Sequence, residues 1–153
     1  MIVDIRADGP QPETRQRWMR VLAQAGSALR QHETALRGQA HRYIRPAQTG
    51  MIMVRARAGG DGAPFNLGEM TVTRCVVRLD DGTTGYSYVA GRSGAQAELA
   101  ALADACLQGP RAGYWIQILI APLQAAQARA RARRAAATAS TRVDFTTLVR
   151  GED

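Results

Sequence analysis

Apolar positions fall at helical spacing from the beginning of the chain. Pro12 and Glu13 make a good helix opening, and Trp18, Leu22, Ala25 and Leu29 follow on one face, with Gly26 and Ser27 placed to break the run in two. The pattern predicts one or two N-terminal helices reaching about Tyr43. Arg45-Pro46 favours extended backbone. The period then becomes two: over Met51 to Ala58, Ile52, Val54, Ala56 and Ala58 share one face and Met51, Met53, Arg55 and Arg57 the other. The run GGDGAP, Gly59 to Pro64, reads as a turn or loop leading through Phe65 to Gly68 into a second β segment, Glu69 to Leu79. Asp81-Gly82 is a hairpin signal. With those two residues as the turn, Val77 pairs with Tyr86 and Cys75 with Tyr88. Cys75, Val77, Leu79, Tyr86 and Tyr88 then form a buried face, with Arg74, Val76, Arg78 and Ser87 on the other side.

Ser93 and Gln96 make a capping box for the next helix, whose apolar stripe is Leu99, Leu102, Ala103 and Cys106 and whose stop is Gly109-Pro110. Tyr114 to Ala121 (YWIQILIA) suits a buried strand or the start of a helix, and periodicity does not decide between them. Beyond Pro122 an Ala/Gln/Arg segment to about Ala139 is strongly helix-prone. The tail carries Val143, Phe145, Leu148 and Val149. With no repeat and no linker, residues 1–153 read as a single α+β domain. Its small, mainly antiparallel sheet comes from the Met51, Glu69 and Thr84 segments, with N-terminal and C-terminal helices packed against it. Residues 1–10 are an N-terminal extension, and 140–153 a tail read as a partner contact.

Composition narrows the chemistry. Of 153 residues, 46% are hydrophobic but only 5% aromatic, so the core must be built from aliphatic side chains and alanine. The net charge of +7 predicts attraction to polyanions or to an acidic protein surface without choosing among them. Every basic side chain is arginine, which excludes a lysine Schiff base, a P-loop lysine and a lysine nucleophile. Cys75 and Cys106 stand far apart with no disulfide-scaffold density, and the first ten residues do not form a signal peptide. The expectation is a soluble cytoplasmic protein with no membrane span.

His32 and His41 are nine residues apart and make no metal pair; with no C-x-x-C or H-x-x-x-H, metal binding by this chain is not expected. Neither histidine accompanies an elbow serine or an activated cysteine, which argues against independent hydrolase chemistry. The informative block is Met51 to Cys75. There Arg55, Arg57, Asn66, Glu69, Thr73 and Arg74, with the glycine-rich run, form a set suited to phosphate or phosphonate recognition: arginine supplies bidentate donors and glycine-loop N–H groups cradle oxygens. The plainer account is a structural turn, Arg55 and Arg57 on a solvated face, and Glu69 paired with Arg74 or a partner. Arg129, Arg131, Arg133 and Arg134 form no single helical stripe, and with no aromatic stacking platform nucleic acid is not the expected partner.

The stretch TGMIMVRARAGGDGAPFNLGEMTVTRCVVRLDDGTTGYSYVAGR, Thr49 to Arg92, resembles the G subunit family of the carbon-phosphorus lyase system, PhnG. The most characteristic run is GAPFNLGEMTVTRC, Gly62 to Cys75. Arg17-Trp18-Met19, Ala97 to Gln108 with Asp104, and Thr141 to Phe145 also look like that family. The resemblance implies a cytoplasmic complex with the H, I and J subunits and, functionally, the ATP-binding-cassette-like L subunit. In it a phosphonate displaces adenine from ATP to give ribose 1-methylphosphonate 5-triphosphate. It implies ATP as a substrate of the complex, no cofactor bound by this chain, and an isolated chain without activity; it assigns no catalytic residue. On that footing the Met51 to Cys75 block reads as a docking surface in preference to a phosphate contact, with Met51, Met53 and the tail as contact candidates. The alternative is a stand-alone basic anion-binding module for a phosphate ligand or nucleic acid.

Overall fold

The computed structural model describes residues 11–143. Its elements are α1 (Pro12–Ala23), a 3-10 stretch (Gly26–His32), α2 (Glu33–Arg37), β1 (His41–Arg57), β2 (Pro64–Leu79), β3 (Thr84–Ala90), α3 (Gly94–Leu107), α4 (Ala112–Trp115), a π turn (Ile116–Ile120) and α5 (Ala121–Ser140). The sheet is antiparallel in the order β1-β2-β3. The expected α+β architecture is therefore present. Phe145, Leu148, Val149 and the N-terminal extension lie outside the described residues.

One helix organises the core. The Ser93 hydroxyl accepts from the Gln96 N–H at 3.3 Å to open α3, but the Gln96 amide reaches Ala23 O instead of returning to the cap, so the box is not reciprocal. From Leu99 to Leu107 every residue of α3 is buried, far more than one stripe, because the sheet covers one side and α1, α2, α4 and the 3-10 stretch cover the others. Alanines make this close fit possible. Ala101 and Ala105 lie directly on Gly85 of β3, and Ser87 donates to Ala97 O at 2.6 Å. Trp18, Trp115, Ile120 and the two cysteines complete a core otherwise made of leucine, valine and alanine.

Three boundaries differ from expectation. The N-terminal helices stop at Arg37 and β1 begins at His41. The β-forming residues Tyr43 and Ile44 extend the strand backwards, and Pro46 is tolerated because β1 is an edge strand whose ladder slips between Arg45 and Gln48. β2 begins at Pro64 instead of Glu69. Tyr114 to Ala121 is helical: α4 widens into a π turn before α5, at a place where Pro122 has no N–H to give to a carbonyl one turn back. The helix after Pro122 is present and ends at Ser140.

The hairpin register is corrected by one residue. Leu79 N–H donates to Thr83 O and Gly82 N–H to Leu79 O, both at 2.9 Å, which makes Asp80–Gly82 a three-residue loop with Gly82 at φ +90°. Val76 then faces Tyr86, and Cys75 faces Ser87. A slip of one residue exchanges the faces. Gly85, Ser87 and Val89 are the buried set, while Tyr86 and Tyr88 are 47% and 46% exposed.

Candidate functional site

The sheet presents two uncovered surfaces. Where β3 ends, β1 and β2 continue together as a two-stranded arm, paired from Met51 with Thr71 to Arg57 with Pro64. Its turn uses Gly59 and Gly60 at φ +62° and +91°. Arg57 Nη1 donates to Gly62 O at 3.0 Å, tying the turn to the strand. The arm buries little: Met51 is 67% exposed and Leu67 64%. By register, Met51, Met53, Arg55 and Arg57 share one arm face with Glu69 and Asn66. Ile52, Val54 and Ala56 share the other with Met70 and Phe65.

The second surface is the sheet face away from α3. Its cross-strand rows read Gln48–Arg74–Tyr88, Arg45–Val76–Tyr86 and Arg42–Arg78–Thr84. Between them runs an open trough of about 620 Å³ lined by Arg45, Arg74, Val76, Arg78, Tyr86 and Tyr88.

The β3 side of the open face is held by a buried carboxylate. Asp104 of α3 has no exposed side-chain surface and accepts from Arg15 Nε at 3.2 Å, Arg15 Nη2 at 2.7 Å, Trp18 Nε1 at 2.8 Å and the Tyr86 backbone N–H at 2.9 Å. α1, α3 and the outer edge of β3 thus converge on two oxygens. The Arg15 guanidinium also lies 5.4 Å from the Tyr86 ring centroid, a cation–π contact that fixes one wall of the open face.

A family profile described as "Phosphonate metabolism protein PhnG" matches residues 13–151. A protein of Rhizobium meliloti (strain 1021), named alpha-D-ribose 1-methylphosphonate 5-triphosphate synthase subunit PhnG, is 44% identical over 110 residues, covering 72% of this chain and 70% of that one. The chain belongs to the PhnG family.

In this PhnG-family chain the six candidate residues do not form one cluster. Arg55, Arg57, Asn66 and Glu69 gather on one arm face. Thr73 stands at the arm's base, 1% exposed, its hydroxyl donating to Gly91 O at 2.7 Å and 3.2 Å from that of Thr49. Arg74 is on the opposite face of β2 from Glu69, and the two make no ion pair. The ion pairs among the described residues join Arg15 to Asp104 and Arg37 to Glu33 and Glu98. Arg74 belongs instead with Arg45, Arg78, Tyr86 and Tyr88; a two-residue hairpin turn would have put both tyrosines on the other face.

The thiols are removed from chemistry by burial. Cys75 donates to Arg45 O at 3.4 Å, and desolvation pushes both Cys75 and Cys106 from 9.0 up to about 11. At pH 8 only about one thiol in a thousand is then ionised, so a thiol-specific reagent should label the folded protein at least ~100-fold more slowly than the urea-unfolded chain; equal rates would contradict the burial. The folded state also keeps these protons to higher pH than the unfolded chain, so stability falls as pH rises from 9.0 through about 11.

Proposed function

We propose that this chain is the G subunit of the carbon-phosphorus lyase machinery, working with the H, I and J subunits and functionally with the L subunit. Its role is to support phosphonate-dependent displacement of adenine from ATP, giving ribose 1-methylphosphonate 5-triphosphate. The observation that carries the reading is the family match over residues 13–151 joined to the 44% identity with a subunit of the synthase named for that product. ATP is a substrate of the assembly, this chain brings no cofactor, and the assembly works in the cytoplasm.

The side chains support an accessory role over an independent catalyst. Both thiols are buried and held protonated at neutral pH. His41 Nδ1 lies 2.6 Å from Gln39 O, an engagement with backbone that does not pair it with a nucleophile. Among the described residues no three His, Cys, Asp or Glu side chains come together as a metal site, and no helix is long and apolar enough to cross a membrane. What the fold offers is contact surface. The arm, with Met51 and Met53 exposed beside Arg55, Asn66 and Glu69, is suited to docking a partner subunit. The reading is tested by adenine release from ATP and methylphosphonate with H, I and L subunits, in the presence and absence of this chain.

A further inference from the structure

The open face of the sheet is unbalanced in charge. Arg42 stands directly opposite Arg78 across the β1–β2 ladder, an arrangement of like charges that disfavours the pairing. Arg45 and Arg74 occupy the neighbouring rows. No Asp or Glu occurs in β1 or β3, and the single acidic residue of β2, Glu69, is on the other face. None of the four arginines takes part in an ion pair among the described residues; Arg78 Nε donates only to Gly82 O, at 3.2 Å.

The shape selects the kind of occupant. Small-molecule sites enclose most of their ligand, whereas this trough is open to solvent along the sheet. Exposed tyrosine beside arginine is the composition that anchors protein interfaces. The same side of the sheet continues along the arm as an apolar stripe, with Phe65 45% and Met70 39% exposed next to Ile52 and Val54. β2 has 16 residues, so the continuous face is about 50 Å long and about 10–15 Å wide. That is of the same order as the about 800 Å² that each partner contributes to a standard protein interface.

We propose that this face docks the acidic surface of a partner protein. Carboxylates lie over Arg42, Arg45, Arg74 and Arg78 in bidentate contacts, and apolar side chains lie along the stripe from Ile52 to Phe65. The proposal rests on the reading that the chain works inside an assembly, and it adds to the arm a second docking surface of different chemistry.

The test is assembly of the full chain with co-expressed H, I and J subunits, captured on a tagged I subunit, and titrated at several salt concentrations. The wild-type complex should weaken about 10-fold or more as salt rises from 0.1 to 0.5 M. The double variant Arg74→Glu/Arg78→Glu should bind at least ~100-fold more weakly. Folding is checked separately. Arg78→Glu alone places a carboxylate opposite Arg42 and should melt at or above the wild-type temperature while still weakening assembly. A double variant that assembles with unchanged affinity overturns the proposal. So does one that assembles normally but has a raised KM for ATP in adenine release, since the face would then hold a small anion. Failure of the wild-type chain to assemble would overturn both the proposal and the functional reading beneath it; an unaffected variant beside a normal wild type overturns the proposal alone.

Discussion

Gly85→Ala should remove a large share of the chain's folding stability, although the substitution adds one methyl group. A Cβ at Gly85 would stand 2.0 Å from Ala101 O, 2.7 Å from Ala105 N and 2.8 Å from Ala105 Cβ. Two of those atoms belong to helix backbone, so no side-chain rotation relieves the clash. Gly85 is not among the glycines of positive φ; what it supplies is space. Relief requires α3 to lift from β3, and α3 is the helix on which the rest of the core packs. Overpacking at a deformable site costs about 1–3 kcal/mol, and here the cost should be about 3 kcal/mol or more, against a total of roughly 5–15 kcal/mol for a domain. Urea denaturation measures it directly. A midpoint within error of wild type would show that α3 does not seat on Gly85 as described.

The second large effect is expected at Asp104. Asp104→Ala leaves the Trp18 Nε1–H and the Tyr86 N–H without their acceptor and strips the Arg15 guanidinium of its carboxylate. Removing one partner of a buried charged network costs several kcal/mol, but Arg15 is 29% exposed and recovers some hydration, which brings the expected loss to about 3 kcal/mol. For a chain of this size that is a fall of roughly 6–12 °C in Tm. Asp104→Asn, which keeps one oxygen acceptor, should lose about half as much. Calorimetry of the two variants checks both magnitude and order. Equal stability of Asp104→Ala and wild type would mean that the network contributes nothing to the fold.

Much of this architecture was legible from residue pattern. The alternation of Met51 to Arg57 needs only the two-residue period of a strand, and the α3 boundaries follow from Ser93 at one end and Gly109-Pro110 at the other. The hairpin register was not legible, because Asp81-Gly82 signals a two-residue turn as well as the end of the three-residue loop that forms. That ambiguity of one position sent Tyr86 and Tyr88 to the wrong face, away from Arg74 and Arg78; Arg45 joins them only through the β1–β2 ladder, whose register shifts beside Pro46. The arm was hidden for another reason. Where β3 stops depends on Gly91 turning the chain away at φ +92°, and local pattern does not say that two strands outrun a third. Asp104 was visible as part of a familiar run, but its partners Arg15 and Tyr86 are 89 and 18 residues away along the chain, and only the fold brings them together.

What this chain does for others is measured most directly by adenine release from ATP with methylphosphonate by purified H, I and L subunits of the same organism. Adding this chain should turn on adenine displacement and formation of ribose 1-methylphosphonate 5-triphosphate, both absent without it. The same rate and product with the chain omitted would show that it has no part in this step.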